Sequence, residues 1–383
     1  MRICLLCNEY PPGPQGGVGS VTRTLGRALV TRGHHVTVVG TYPPERAGVE
    51  DDRGVRVVRL AHTRVRGAGF VANGARLGRT LWSLHRESPF DVLEGPESSL
   101  AMVPKGLPAE KIIRMHGGHH FFAVTLGAAP RPWRSWLERR SFGRADALCA
   151  VSRYVGETTR GLLGLGGRPI EVLPNPVDVS LFRPRPEIPE EPGVVLFAGT
   201  VCEKKGVRQL VQALPAVIEA VPHARLVVAG RDWTDPGTGE SFTEGLRRLV
   251  PPGLADRVDF LGRVEHDDLP ALIARSQVCA FPSHMEAQGL VVVEGMAMGK
   301  AVVASRTGPG PELIDDATSG LLCDPYDPAS IAERVVRLLK DPGLRRRVAA
   351  GARERAVGCF SVDVLAGRNE AFYERCLGSR NGL

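Results

Sequence analysis

Short apolar runs alternate with stretches of helical periodicity along most of the chain. Ile3 to Cys7 reads as a buried strand, Tyr10 to Gly19 is a Pro/Gly-rich loop, and Val18, Val21, Leu25 and Leu29 then recur at helical spacing. Gly33 stops that helix, and Val36 to Gly40 predicts the next strand. Ala147 to Ser152 and Ile170 to Leu173 continue the alternation. A second series predicts strands at Val194–Gly199, Arg225–Gly230, Val258–Gly262, Val278–Pro282, Ala301–Ser305 and Gly320–Cys323, with a helix over Gly206–Val221. Strands that are apolar throughout and separated by helices belong in parallel sheets covered on both faces. Ligands of such sheets sit beyond the carboxyl ends of the strands.

Between Arg183 and Gly193, four prolines block helix and ladder formation, and this stretch is expected to link two domains. The expected division is residues 1–185, to which a helix over about 362–383 returns, and residues 186–361. The 383 residues suffice for two cores. With 43% hydrophobic and 24% charged residues, the composition is that of globular domains rather than a disordered or membrane-spanning chain. The first residues lack the apolar length and cleavage site of a secretory leader, so a cytoplasmic location is expected.

Eight cysteines are scattered through apolar runs and read as small buried hydrophobes. Cys4 and Cys7 form a C-x-x-C string, but strand residues three apart point to opposite faces, which argues against a shared metal or disulfide. The net charge of +7 is uneven, with 26 Lys plus Arg against 15 Asp plus Glu through Arg185, and 23 against 27 after it. A basic N-terminal half suits a phosphorylated or lipid-linked substrate or an anionic membrane, or it serves solubility alone. Dispersed arginines and few aromatic residues argue against nucleic acid.

Gly16-Gly17-Val18-Gly19 follows a strand and opens a helix, but it fits neither a dinucleotide fingerprint nor a phosphate-binding P-loop. The stretch Phe281 to Glu312 is more informative. Glu286 follows a strand end in a loop with Gly289. From Leu290 onward the local pattern is ambiguous: Val291 to Val293 favours a strand, whereas Glu294 to Met298 favours a helix. A helix beginning near Leu290 would aim its first N–H groups at a bound anion and bring Glu294 toward the same place. Otherwise both glutamates are solvated surface residues.

This stretch resembles the signature of glycosyltransferase family 4, retaining enzymes of the two-domain GT-B architecture. Glu286-Ala-Gln-Gly-Leu-Val-Val-Val-Glu294 has the family's spacing of Glu, seven residues, Glu, and the following GMAMGKAVVAS and Gly308-Pro-Gly-Pro-Glu312 fit its continuation. The likeness covers nearly the whole chain. It extends to the opening GGVGSVTRTLGRALVTRGHHVTVV, Ile113 to Gly117, Ala150 to Ser152, Pro174 to Asp178, Gly199 to Gly206, and the tail from Phe360. It implies two Rossmann-like domains facing a central cleft, the N-terminal one holding the acceptor and the C-terminal one the nucleotide-sugar donor.

The resemblance also assigns roles. Glu294 would accept from the ribose hydroxyls and Glu286 from hydroxyls of the donor sugar, because each carboxylate oxygen accepts two donors. Lys205 would neutralise charge growing on the leaving diphosphate, Gly16 and Gly17 would let the opening loop approach it, and His116 would lie near donor sugar and acceptor. Val264, Ala287, Gln288, Gly289 and Leu290 complete the donor set, with His116, Lys205 and Glu286 as the catalytic group. Two departures stand out. Thr200 replaces the usual phosphate-binding arginine, leaving Arg231 and Arg263 as substitutes or the backbone to carry more. Gln288 replaces a common phenylalanine, and its amide suits a donor hydroxyl or acetamido group.

The expected reaction moves a hexose-type sugar from a UDP- or GDP-linked donor to a hydroxyl of a glycan, glycolipid or small natural product. The anomeric configuration would be retained, with no metal or cofactor, since the chain has no D-x-D string. A phosphorylase with pyridoxal phosphate and a non-catalytic nucleotide-sugar binder are the rival classes. Phe121, Phe122, Trp133, Trp136 and Leu137 lie among Arg131, Arg134, Arg139, Arg140 and Arg144, which reads as a core-packing helix with a solvated arginine face or as a membrane-docking segment.

Overall fold

The computed structural model describes residues 1–12, 16–63 and 69–381, and it divides into two compact units, Met1–Pro176 with Val362–Leu383, and Val177–Ser361. The first unit holds β1 (Arg2–Leu6), β2 (His35–Tyr42), β3 (Gly48–Asp52), β4 (Val55–Ala61), β5 (Val92–Gly95), β6 (Glu110–Met115), β7 (Ala147–Ala150) and β8 (Glu171–Val172). They form one sheet in the order β3-β4-β2-β1-β5-β6-β7-β8. All neighbours are parallel except β3 and β4. That hairpin turns at Arg53 and Gly54, both with positive φ, a geometry that matches the twist of paired strands. The strand periodicity had not announced it.

The second unit holds β9 (Val194–Ala198), β10 (Arg225–Ala229), β11 (Val258–Gly262), β12 (Val278–Phe281), β13 (Ala301–Ser305) and β14 (Leu321–Cys323). Their order is β11-β10-β9-β12-β13-β14, all parallel. This is the doubly wound order whose direction reverses between the first and fourth strands. The reversal falls between β9 and β12, and in the first unit between β1 and β5. Loops following those strand pairs diverge to opposite faces, leaving a crevice at the carboxyl edge of each sheet.

Both cores follow from the apolar runs. Ile3, Val38, Val92, Ile112 and Cys149 stack along the first sheet with Leu25 and Leu29 of the helix Gly17–Thr31. Val195, Phe197, Val228, Val278 and Val303 do so in the second, covered by Leu210, Leu214 and Val217. Each fully buried side chain of this size contributes about 1.5–3 kcal/mol. All eight cysteines are free thiols, Cys4 and Cys7 among the buried ones.

Two expectations change. The proline-rich Arg183–Gly193 stretch is not the passage between units, which comes at Pro176–Val177. Glu191 N–H donates to the Arg275 carbonyl at 2.8 Å, and Lys300 donates to Glu190 at 2.6 Å, so the prolines shape a surface strap of the second unit. The ambiguous Leu290 region is a helix, Leu290–Ala297. β12 already has β9 and β13 as ladder partners, so Val291–Val293 have no strand to join. Gly289, at φ 95°, instead reverses the chain into the helix.

The last helix, Val362–Asn381, packs in the first unit. Arg114 on β6 makes a buried two-pronged pair with Glu94 at 2.7 and 3.0 Å. Asn369 and Tyr373 of the last helix complete it, Asn369 accepting from Arg114 and Tyr373 donating to Glu94.

Candidate active site

In the second unit, the loops flanking the β9/β12 reversal carry the motif residues. After β9 come Gly199 to Cys202, a single 3-10 turn over Glu203–Lys205, and the helix Val207–Ala220. Gly206 joins turn to helix at φ 67°, and a Cβ there would stand 1.8 Å from the Pro282 carbonyl oxygen, so only glycine lets the two loops approach. The Lys204 carbonyl accepts His284 N–H at 3.0 Å and Met285 N–H at 3.2 Å. This lacing brings the Lys205 ammonium onto Glu286 as an ion pair, and Ser283 Oγ donates to the same Glu286 oxygen at 3.1 Å. Both charged side chains keep about a fifth of their surface exposed, which leaves them accessible to a ligand. The N-terminus of Val207–Ala220 adds its unpaired N–H groups and positive dipole end to Lys205.

Glu294 lies in the helix after Gly289 and is nearly buried. Its carboxylate meets His266 Nε2 at 3.1 Å, and the His266 ring stands edge-on against Phe182 at 5.1 Å between centroids. Sequence reasoning passed over His266, although Glu265-His266-Asp267-Asp268 immediately follows the candidate Arg263-Val264 pair. Gln288 is buried at 2% exposure, next to Gly289.

The three other candidates lie on the rim of β9, β10 and β11, whose ends are tied together. Val201 N–H donates to the Arg231 carbonyl at 2.9 Å and Gly230 N–H to the Gly262 carbonyl at 2.7 Å. Thr200 is half-buried and Arg231 is exposed. Arg263 is exposed and paired with Glu265 at 3.0 Å. The structure thus joins Lys205 to Glu286 directly and sets Glu294 against His266, while Arg231 and Arg263 point from the rim.

In the first unit, Gly16 is the N-cap of the helix Gly17–Thr31, and the Glu9 carboxylate lies where a Gly16 side chain would stand, 2.0 Å from its Cβ position. His116 follows β6. Burial and the nearby Arg114 guanidinium push its imidazole down to about 3, so the ring is neutral at working pH. It can exchange hydrogen bonds but does not act as an acid–base group near neutrality. A cavity of about 250 Å³ opens at the β1/β5 reversal, lined by Asn8, Thr41, His62, Asn73, Ser98 and Ser99 among others. The helix Pro132–Phe142 buries Leu137, Glu138, Ser141 and Phe142 but not its tryptophans. Trp133 and Trp136 are each 55% exposed, with Arg134 and Arg140 stacked on their rings, so of the aromatic and apolar residues expected to pack in the core Phe121 and Leu137 do and the two tryptophans do not. Among the described residues no helix is long and apolar enough to cross a membrane.

Two doubly wound domains, with a lysine–glutamate pair at the strand reversal of the second, define the architecture of a GT-B glycosyltransferase. The sequence model described as "Glycosyl transferases group 1" matches residues 178–355, and that described as "Glycosyltransferase Family 4" matches residues 15–181. A GDP-mannose-dependent alpha-(1-6)-phosphatidylinositol monomannoside mannosyltransferase of Mycobacterium tuberculosis is 30% identical over 96% of both chains. A D-inositol 3-phosphate glycosyltransferase of Xylanimonas cellulosilytica is 31% identical over 92% of this chain and 91% of its own. The chain belongs to glycosyltransferase family 4 and is a glycosyltransferase. Solved structures share the fold: sucrose-phosphate synthase from Thermosynechococcus elongatus superposes with a TM-score of 0.82 at 23% identity over 99% of both chains. The Anabaena protein HepE, in complex with UDP and glucose, gives 0.74 at 19% over 98% of this chain and all of its own.

Proposed function

We propose that the protein transfers a hexose-type sugar, with retention of configuration, from a UDP- or GDP-linked donor to a hydroxyl of a glycan, glycolipid or small natural product. The Lys205–Glu286 pair carries this reading, because loop-to-loop hydrogen bonds hold a cation and a carboxylate together at the strand reversal. Glu294, oriented by His266, accepts the ribose hydroxyls, Glu286 and Gln288 read the donor sugar, and the loop at Gly16 and Gly17 covers the diphosphate. Arg231, Arg263, Thr200 and the backbone from Val264 and Ala287 to Leu290 complete the donor-binding set, with no metal or cofactor required. During transfer the anomeric carbon–phosphate oxygen bond breaks and the bond to the acceptor oxygen forms on the same face. The acceptor proton passes to a donor phosphate oxygen, and Lys205 with the adjacent helix N-terminus stabilises the charge left on the diphosphate.

Asn8, Thr41 and Asn73 offer polar groups to a hydroxyl-bearing acceptor in a cavity that Leu6, Val39, Leu77 and Met102 also line, and the basic N-terminal half suits a phosphorylated or lipid-linked one. Two relatives act, by their names, on inositol-bearing acceptors, which supports the same chemical class here. Exposed Trp133 and Trp136 among arginines favour peripheral contact with an anionic membrane as a second property. Sedimentation with phosphatidylglycerol vesicles tests it, and absence of binding at low salt refutes it.

Nucleotide release from a panel of UDP- and GDP-sugars, run beside a thermal-shift screen, tests the main reading. One donor should both stabilise the protein and release its nucleotide. Tight binding without release would leave a binding module, and a pyridoxal absorbance band would point to a phosphorylase.

A further inference from the structure

The first unit holds a pair of buried acids that the motif residues do not account for. Glu97 sits on the loop after β5, beside the strand reversal, and is 4% exposed. It accepts His116 N–H at 2.6 Å and also Gly117 N–H. Glu138, on the helix Pro132–Phe142 and 1% exposed, accepts His119 N–H at 2.8 Å and His120 N–H at 2.9 Å, and it contacts the His120 ring. Gly118 lies between the two acids: a Cβ there would be 1.8 Å from Glu138 Oε1 and 2.8 Å from Glu97 Cγ. Four of the five N–H groups from His116 to His120 therefore end on two carboxylates from different elements. The backbone carrying His116 is held by side chains where a ladder or helix would ordinarily hold it.

We propose that Glu97 and Glu138 clamp the His116–His120 loop and that Glu97 is a positioning residue, setting the His116 ring for transfer. The proposal rests on the reading of His116 as a site residue. Glu97 is an expensive way to hold a loop. Burial, with the Glu138 charge adding to it, raises its carboxyl to about 8 despite the N–H groups it accepts. A glutamine would accept the same hydrogen bonds without a proton to lose.

Glu97 meets the Glu138 charge from the helix Pro132–Phe142 and the neutral His116 at the end of β6, while His119 and His120 at the start of the helix His119–Thr125 contact Glu138. Arg114 lies behind His116 on β6 and pairs with Glu94. Ionising Glu97 puts a second negative charge across Gly118 from Glu138, with the Arg114 charge already engaged. The clamp then loosens, and turnover declines as pH rises through the titration of Glu97.

The test measures nucleotide release by the full chain from whichever of UDP-glucose and GDP-mannose stabilises it. Glu97→Ala should lower kcat at least tenfold while leaving donor KM within about twofold, because Glu97 holds the His116–His120 backbone and neither the Gly16–Gly17 turn nor the donor residues of the second unit. Glu97→Gln should keep most of the wild-type kcat at pH 7 and lose the alkaline decline between pH 7 and 9. It also keeps the test decisive if Glu97→Ala fails to fold. An unchanged kcat in Glu97→Ala, or the same alkaline limb in Glu97→Gln as in wild type, overturns the proposal when His116→Ala is itself impaired. If His116→Ala turns over normally, the reading of His116 fails, and the positioning role falls with it.

Discussion

The Glu97 carboxyl has a consequence for stability that can be read without any substrate. Its value of about 8 in the folded chain stands against an ordinary 4.5. Between those pH values the folded protein keeps a proton that the unfolded chain has released, so stability falls as pH rises. It is fully present below pH 4.5 and the loss is complete above pH 8. At 1.36 kcal/mol per unit, ionisation of Glu97 removes about 1 kcal/mol by pH 5, about 3 by pH 7 and about 5 by pH 9. Glu97→Gln has no such proton, and its amide oxygen still accepts from His116 and Gly117. The variant should therefore gain about 4 kcal/mol on wild type between pH 5 and pH 9. For a unit of this size that is roughly 8–16 °C in the Tm of the first unit. Differential scanning calorimetry of both proteins at pH 5, 7 and 9 measures it. Parallel Tm curves would refute the argument, since they would mean that Glu97 is ionised and compensated throughout.

Three further outcomes follow from the second unit. Glu294→Ala should abolish nucleotide-induced stabilisation, worth about 2.7 kcal/mol at a hundredfold excess over Kd, with the ligand-free Tm little changed; a full thermal shift in the variant would exclude the ribose role. Lys205→Ala should reduce kcat for nucleotide release by about 10²–10³-fold, the usual cost of losing one preorganised charge-stabilising group, and a loss under threefold would move that role elsewhere on the rim. Gly206→Ala should destabilise by at least about 2 kcal/mol, because its φ of 67° and the Pro282 carbonyl 1.8 Å from the new Cβ both oppose a side chain; calorimetry should show the transition of the second unit lowered by roughly 4 °C or more.

Much of this molecule was legible along the chain because most of its strands are buried and read as continuous apolar runs, several of them ended by a glycine or proline. The Val258–Gly262 and Ala301–Ser305 strands lie where the runs place them. What the pattern could not show depended on partners far away in sequence. The prolines of Arg183–Gly193 looked like a linker because proline excludes helix and ladder alike, but what fixes that strap is Arg275 and Lys300, some 80 and 110 residues on. Val291–Val293 had the composition of a strand, and only the pairing of β12 with β9 and β13 decided against it. Arg53-Gly54 was a readable turn signal, missed because the surrounding alternation was taken as uniformly parallel.

The same distinction separates the two halves of the candidate site. Glu286 and Glu294 are visible as a pair at a fixed spacing and Lys205 through the family resemblance, and each lies on a loop or helix that follows a strand end. The groups that orient them are not: His266 reaches Glu294 across 28 positions and Ser283 reaches Glu286 across three. In the first unit the dependence on distant partners is stronger still. His116 stood out by the family resemblance, yet its backbone is held by Glu97, 19 positions earlier, while Glu138, 19 after His119, holds the rest of the loop. Glu97 follows a Gly-Pro turn and Glu138 precedes two arginines, so both had the local sequence of solvated acids. Folding makes them expensive buried groups, and it does so at the loop whose placement the transfer reaction would need. Local pattern and family likeness therefore name the candidate residues, whereas the acids that hold their backbone emerge only when the folded surroundings of each charge are known.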